Sequence, residues 1–365
     1  MKKILSLFLC CLMVLTLMGC GGSNGDDITT YTYSSELDIK NLDSSDADDG
    51  CSLKAIHAVI DGLTKTDKKG NIVNAVAKSE ELSEDGLTHT YKLRKDVKWT
   101  NGDPVTAHDF VYEWQCIFRK KGSYYYMFAD GIAGIEGAQE LSDKIDAGEE
   151  LTDDDLNSMG VKAIDDYTLE VKTTVRVSFF DELMAFPCFF PINEKFCEKQ
   201  GDKYGKSAKA ILGNGAFIMT NWEPGSIAEF KKNEDYYEAK TVKIEKLVMK
   251  LVQNPKVAAQ SFMAGETDYA PITSDLVGKY KDDESFKQVP EGFLYYLSVN
   301  FQNADLANAN IRQAVSLSIN RKDLCEKVLK DGSSAATGFI PKGVATSPDG
   351  KDFREESGTY ITYSQ

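Results

Sequence analysis

The stretch Tyr91–Trp114, YKLRKDVKWTNGDPVTAHDFVYEW, sets a lysine, an arginine and a His108–Asp109 pair around an Asn-Gly-Asp-Pro turn. Those residue types can run acid–base chemistry when a histidine and a carboxylate lie within hydrogen-bond reach of a reacting proton. Two other segments invite a chemical reading. Gly201-Asp202-Lys203-Tyr204-Gly205-Lys206-Ser207 resembles a phosphate-cradling loop, but its spacing is one residue short and no apolar strand feeds it. Asp43 to Gly50 is acidic like a calcium loop, yet Ser45 and Ala47 stand where ligands should precede the glycine. Three histidines, His57, His89 and His108, come with no His-Glu-x-x-His and no paired Cys-x-x-Cys, so a zinc site is not encoded. No catalytic residue, metal ligand or cofactor is expected.

The elements around the first stretch explain its polar residues. Tyr91, Leu93 and Val97 alternate with polar neighbours, and Trp99 closes a strand-like run. Asn101-Gly102-Asp103-Pro104 is then a turn, with glycine free to take positive φ and proline fixing the exit. Thr106 followed three residues later by Asp109 is a capping box. Phe110, Trp114 and Ile117 or Phe118 fall on one face of the helix it opens. Asp109 therefore serves the backbone, His108 sits in an exposed first turn, and the stretch is scaffold.

The chain opens Met1-Lys2-Lys3, runs apolar from Ile4 to Met18 and reaches Leu17-Met18-Gly19-Cys20. This reads as a secretion signal, too short to span a bilayer comfortably. Gly21 to Asp27 reads as a flexible tether. The formal net charge is −15, and −17 once Lys2 and Lys3 leave with the signal. A surface that acidic argues against nucleic acid and against broad adhesion to anionic membranes. Of eight cysteines, Cys10 and Cys11 leave with the signal; Cys51, Cys116, Cys188, Cys197 and Cys325 remain beyond Cys20. Their odd number and irregular spacing do not form a disulfide framework, and spacing assigns no connectivity, Cys188 with Cys197 included. Glu136 to Asp155, the most charge-dense segment, reads as a solvated helix and loop interrupted at Gly148. The remaining length suits two domains, or one and a half.

Taken whole, the pattern Tyr91-x-Leu93-Arg94-x-x-Val97-Lys98-Trp99-x-Asn101-Gly102-Asp103-Pro104, with the helix after it, closely resembles the signature of the extracellular solute-binding proteins, family 5, that feed peptides to ABC importers. Other blocks follow in that family's order: Asp61-Gly62-Leu63-Thr64 with Gly70, and the two-strand unit Gly160 to Val171 around Asp165-Asp166. Gly213 to Phe217, Trp222 to Gly225 and Lys232 to Tyr237 resemble its central fingerprint, and Phe262 to Asp268, Asn300 and Ile311 to Arg321 complete the series. The Leu-x-Gly-Cys ending resembles a bacterial lipobox, which makes Cys20 the lipidated residue.

The resemblance implies an α/β, periplasmic-binding-protein-like fold (type II, cluster C), a two-lobed clamshell. Residues 1–19 would be the lipoprotein signal peptide and 20–28 the tether. Residues 29–44 and 175–291 would form the core of the first lobe, 45–174 an inserted subdomain, and 292–365 the opening of the second. Because family members continue well past the equivalent of Phe339-Ile340-Pro341, that second lobe is expected to be incomplete. The implied function is a receptor, not an enzyme: a lipid-anchored monomer that captures extracellular oligopeptides by closing over them. Its partners would be an ABC permease and ATPase, at the outer face of the cell membrane or in the periplasmic space. Two alternatives stay open: the same fold taking a sugar, nickel chelate or signalling peptide, or a truncated surface lipoprotein without transport activity.

An extended peptide is held mainly by its backbone, in a cleft with aromatic walls and a few polar groups. The family's pattern points to Asp49, Gly50, Cys51 and Ser52, just before the first long helix. Asp49 would face a peptide amine, and Gly50 would let the backbone come close. The competing reading makes the same residues a solvated helix start with Ser52 as N-cap. Tyr124, Tyr125 and Tyr126 occupy the place of the family's cleft-lining tyrosines, each offering rigid area and a hydroxyl, against the alternative of packing in the core. Tyr295 and Asn300 lie near the crossing into the second lobe.

Overall fold

The computed structural model describes residues 29–289, 291–347 and 349–364. The expected signal, Cys20 and the expected tether lie outside them. No described helix is long and apolar enough to cross a membrane. The chain divides into two compact units: residues up to 253 with 261–270, and 254–260 with 271 onward.

Among its described residues the first unit holds ten strands, β1 (Thr30–Ser35), β2 (Thr64–Thr66), β3 (Ile72–Asn74), β4 (Ala77–Leu82), β5 (Thr88–Leu93), β6 (Val161–Asp165), β7 (Thr168–Lys172), β8 (Phe217–Glu223), β9 (Ile227–Lys232) and β10 (Lys246–Leu251). One sheet runs β1-β10-β9-β8, with β1 parallel to β10 and the other pairs antiparallel. A second, antiparallel sheet runs β4-β5-β7-β6, and β2 and β3 form a separate hairpin. Alternation decides which face each strand buries. Ala228 and Phe230 of β9 turn inward with Met219 and Met249 onto Ile56 and Val59 of helix α1 (Gly50–Val59). Tyr91 and Leu93 of β5, with Leu169 and Val171 of β7, share a second core with helix α2 (Ala107–Arg119).

The stretch Tyr91–Trp114 is built as scaffold, with one difference from expectation. The strand stops at Leu93 instead of reaching Trp99, because Arg94 N–H turns to the Val76 carbonyl at 2.9 Å. Val97 and Trp99 are buried by a tight loop of their own, closed by Val105 N–H to Val97 O (3.1 Å), with Gly102 at φ +94°. At the head of α2 the Asp109 carboxylate accepts from Thr106 N–H (2.7 Å), Thr106 Oγ1 (3.2 Å) and the Trp99 indole (3.3 Å). Burial pushes the Asp109 acid up to about 6, against the pull of those hydrogen bonds. His108 is exposed, 3.6 Å from the equally exposed Asp166. Phe110, Trp114, Ile117 and Phe118 all reach the core.

In the second unit, described by itself, residues 271–364 hold short helices such as Ser274–Tyr280 and Ala309–Ser318. Among the described residues of that range, Leu276 is the one buried apolar side chain, while Phe293, Leu297 and Phe339 are more than two-thirds exposed. The expected boundary at 291/292 falls inside this unit.

Candidate functional site

Helix α1 starts at an aspartate. Asp49 has extended backbone (φ −112°, ψ 147°), and its carboxylate accepts from the N–H groups of Cys51 (3.1 Å) and Ser52 (3.0 Å). This satisfies two of the donors that a helix start leaves open and puts a negative charge at the positive end of its dipole. The N-cap is thus Asp49 and not Ser52. Ser52 is fully buried: it donates its hydroxyl to Asp49 Oδ2 at 2.6 Å and accepts from Lys40 N–H (2.9 Å) and Asn41 N–H (3.2 Å). With its hydroxyl engaged in these three hydrogen bonds, Ser52 orients Asp49. Gly50 is exposed, and no atom lies within 4 Å of where its Cβ would be, so the backbone there is bare. Cys51 is half-buried, donates to Leu37 O at 3.1 Å and has its thiol pushed up by burial, which makes it a poor nucleophile.

The segment before Asp49 is held from below, and Asp43 is spent on that task. Asp43 accepts from Ser45 N–H (3.1 Å) and Ser45 Oγ (2.6 Å) and pairs with Lys120 Nζ at 2.5 Å. Ser44 donates to Glu113 of α2 at 2.9 Å, and Leu42 N–H to the Gly205 carbonyl at 2.8 Å. Two glycines admit the segment: a Cβ on Gly122 would collide with the Ser45 carbonyl oxygen, and one on Gly205 with the Asp43 backbone N. Apart from the Asp43–Ser45 pair these contacts are not local, and sequence reasoning missed them. The available signal, Lys120-Lys121-Gly122 after a helix, suggests a glycine C-cap. Instead Lys121 takes the left-handed conformation (φ +53°), and Gly122 is required for close approach.

The three consecutive tyrosines separate. They enter the 3₁₀ turn Tyr125–Phe128, where three residues per turn send successive side chains about 120° apart. Tyr124 is half-buried, edge-on to Phe186 (5.1 Å between centroids), with its hydroxyl on the Asp48 carbonyl at 3.4 Å. Tyr126 is 51% exposed, its ring 6.3 Å from that of Tyr124. Tyr125 turns away to donate to Asp146 at 2.6 Å and packs on Phe118. The structure therefore joins Tyr124 to the Asp48–Cys51 segment, sets Tyr126 beside Tyr124 and leaves Tyr125 outside. Tyr295, 91% exposed, and Asn300, whose Oδ1 accepts from Gln302 N–H at 2.9 Å, belong to the second unit.

Three of the blocks singled out in the sequence meet one another. Asp61, in the β2 hairpin block, accepts from the hydroxyls of Tyr236 and Tyr237, both at 2.7 Å. Asn214 accepts from Asp61 N–H at 2.7 Å and donates to its carbonyl at 3.2 Å. Lys65 closes the knot on both tyrosine hydroxyls (2.9 and 3.1 Å) and on Glu238. These residues tie the hairpin to the main sheet and are structural. The five cysteines beyond Cys20 are free thiols. Among the described residues no cluster of three or more His, Cys, Asp or Glu side chains is arranged to hold a metal ion.

The geometry is that of a pinned, capped helix start with exposed backbone at Gly50, with Tyr124 against it and Tyr126 beside Tyr124. Residues 71–360 match the family described as "Bacterial extracellular solute-binding proteins, family 5 Middle". The chain is 32% identical over 356 residues to the dipeptide-binding protein of Lactococcus lactis subsp. cremoris, covering 93% of this chain and 62% of that protein. It is 30% identical over 368 residues to the oligopeptide-binding protein OppA of Bacillus subtilis, covering 96% and 66%. The structure of Listeria monocytogenes OppA bound to peptide superposes with a TM-score of 0.78 at 30% identity, covering 93% of this chain and 66% of that one. The chain spans about two thirds of the length of these relatives, and its α/β fold is of the periplasmic-binding-protein type. From the ordered blocks, the fold they build and these matches, the chain belongs to the bacterial extracellular solute-binding proteins, family 5.

Proposed function

We propose that this protein is an extracytoplasmic receptor that captures oligopeptides for an ABC importer, and is not itself a catalyst. The observation that carries the reading is the Asp48–Cys51 segment: a capped helix start with bare backbone at Gly50, flanked by Tyr124 and Tyr126. Bare backbone suits main-chain recognition of an extended peptide, and tyrosine rings add sequence-tolerant area. The names of the relatives, dipeptide- and oligopeptide-binding proteins, support the same ligand class. In this reading Asp49, Gly50, Cys51, Tyr124 and Tyr126 line the ligand, and Ser52 supports Asp49. Binding would shift a pre-existing equilibrium toward a closed form, recognised as a monomer by permease and ATPase subunits.

The test is calorimetry with a randomised pentapeptide library. Wild-type protein is expected to bind. Tyr126→Ala should weaken binding about tenfold, roughly 1.4 kcal/mol, through lost aromatic contact. Tyr125→Ala should leave affinity unchanged, because its hydroxyl serves Asp146. Heat released with a sugar or a nickel chelate and none with peptides would replace this reading with the other-solute one.

We also propose that Cys20 carries a lipid anchor. Cys20→Ser should release the protein from membranes and leave its signal uncleaved by the lipoprotein peptidase. Unchanged fractionation and processing would rule the anchor out.

A further inference from the structure

Glu113 lies in the middle of α2 and is completely shielded from solvent. One carboxyl oxygen receives the Ser44 hydroxyl at 2.9 Å; the other is buried with no hydrogen-bond partner. A charged carboxylate is seldom left in that state, because an ionised oxygen without donors pays its whole desolvation cost. The neighbour that could neutralise it is engaged elsewhere, since Lys120 Nζ sits 2.5 Å from Asp43 Oδ2 and 2.8 Å from Ser45 Oγ. The other titratable groups around the acid are Cys116 on its own helix, Cys188 of the turn Pro187–Phe189, Cys197 of the helix Glu194–Gln200, Tyr204, and Asp43 of the segment it touches. None but Lys120 is cationic.

We propose that Glu113 is a positioning residue for the ligand-facing segment, holding Ser44 and hence residues 43–49 in place as a neutral acid and releasing them when it loses its proton to solvent. The proposal rests on the reading that residues 48–51 meet the ligand. Burial is the main cause that raises the acid's ionisation well above the usual carboxylate range, and Asp43 adds to it, while Lys120 and the Ser44 hydroxyl oppose. The sign follows from linkage. A carboxyl raised on folding favours the ordered segment at low pH, and that contribution is lost as pH rises through the folded-state ionisation. Deprotonation places a second negative charge beside Asp43 in a buried site, and the relief is to swing the Ser44 turn outward. Asp49, three hydrogen bonds further along, loses its alignment with it.

The experiment is hydrogen exchange of residues 41–49, corrected for intrinsic rates, from pH 5 to pH 10 on the wild-type chain and on Glu113→Gln, with affinity for the randomised pentapeptide library measured in parallel. Wild-type protection and affinity should fall together as pH rises from the ordinary carboxylate range toward the raised ionisation of Glu113, by up to about tenfold per pH unit, and level off above it. Glu113→Gln keeps the shape and the Ser44 contact without the charge, so it should rescue both and flatten both profiles. A flat wild-type profile, which needs no variant, overturns the proposal, as does a Gln variant that falls in parallel with the wild type. If the protection profiles behave as stated but no peptide binds at any pH, Glu113's hold on the segment stands and the peptide reading fails.

Discussion

Gly122→Ala is expected to lower the melting temperature by roughly 2–12 °C and to weaken peptide capture by tenfold or more, although residue 122 need never touch a ligand. The Cβ would meet the Ser45 carbonyl oxygen, a backbone atom with no rotamer to move into. Either the turn after α2 or the 43–49 segment must shift. Overpacking of this kind costs about 1–3 kcal/mol, and each kcal/mol moves the transition about 2–4 °C for a domain of this size. The functional loss follows because Asp43 and Ser45 are the groups that Lys120 grips, and Asp49 caps α1 a few residues further on. Gly278→Ala is the control: it lies inside the helix Ser274–Tyr280 with nothing within 4 Å of its Cβ, so alanine there should be neutral or slightly stabilising. Melting curves and calorimetry that fail to separate the two variants would show that the approach of Gly122 to Ser45 does not matter.

Trp114→Ala should be the most damaging single change to stability. The indole is fully buried, edge-on to Phe128 and Phe189 with centroids 5.6 Å away in each case, and its N–H donates to the Phe189 carbonyl at 3.2 Å. Truncating a buried tryptophan costs about 3–5 kcal/mol, and the orphaned carbonyl adds about 1 kcal/mol or more. Trp114→Phe keeps most of the ring area and loses the donor, so its cost should be about 1–2 kcal/mol. Urea denaturation followed by circular dichroism gives both numbers. An alanine variant within 1 kcal/mol of wild type would mean that the α2 core is plastic enough to collapse into the space.

The sequence by itself determined the features whose causes are local. The inward face of α2 follows from periodicity a few positions apart, and the hairpin around Gly70 and the strand pair around Asp165-Asp166, which the resemblance implied, also form. The order of those blocks was enough to indicate the family. The Asp109 cap was legible for the same reason, because donor and acceptor are three residues apart. The end of β5 was not legible, since it depends on the Val76 carbonyl on the neighbouring strand's approach. Nor was the choice of Asp49 over Ser52 as N-cap, because Ser52 is diverted to Lys40 and Asn41 by how the preceding loop folds back. The tertiary structure alone decided which tyrosines face the candidate site, that Glu113 is shut away with an unpartnered oxygen, and that Asp61, Asn214 and Tyr236 meet. Burial and close approach are set by what arrives from far along the chain, as Gly122 meets Ser45 and Gly205 meets Asp43, and a residue's identity carries no record of that partner.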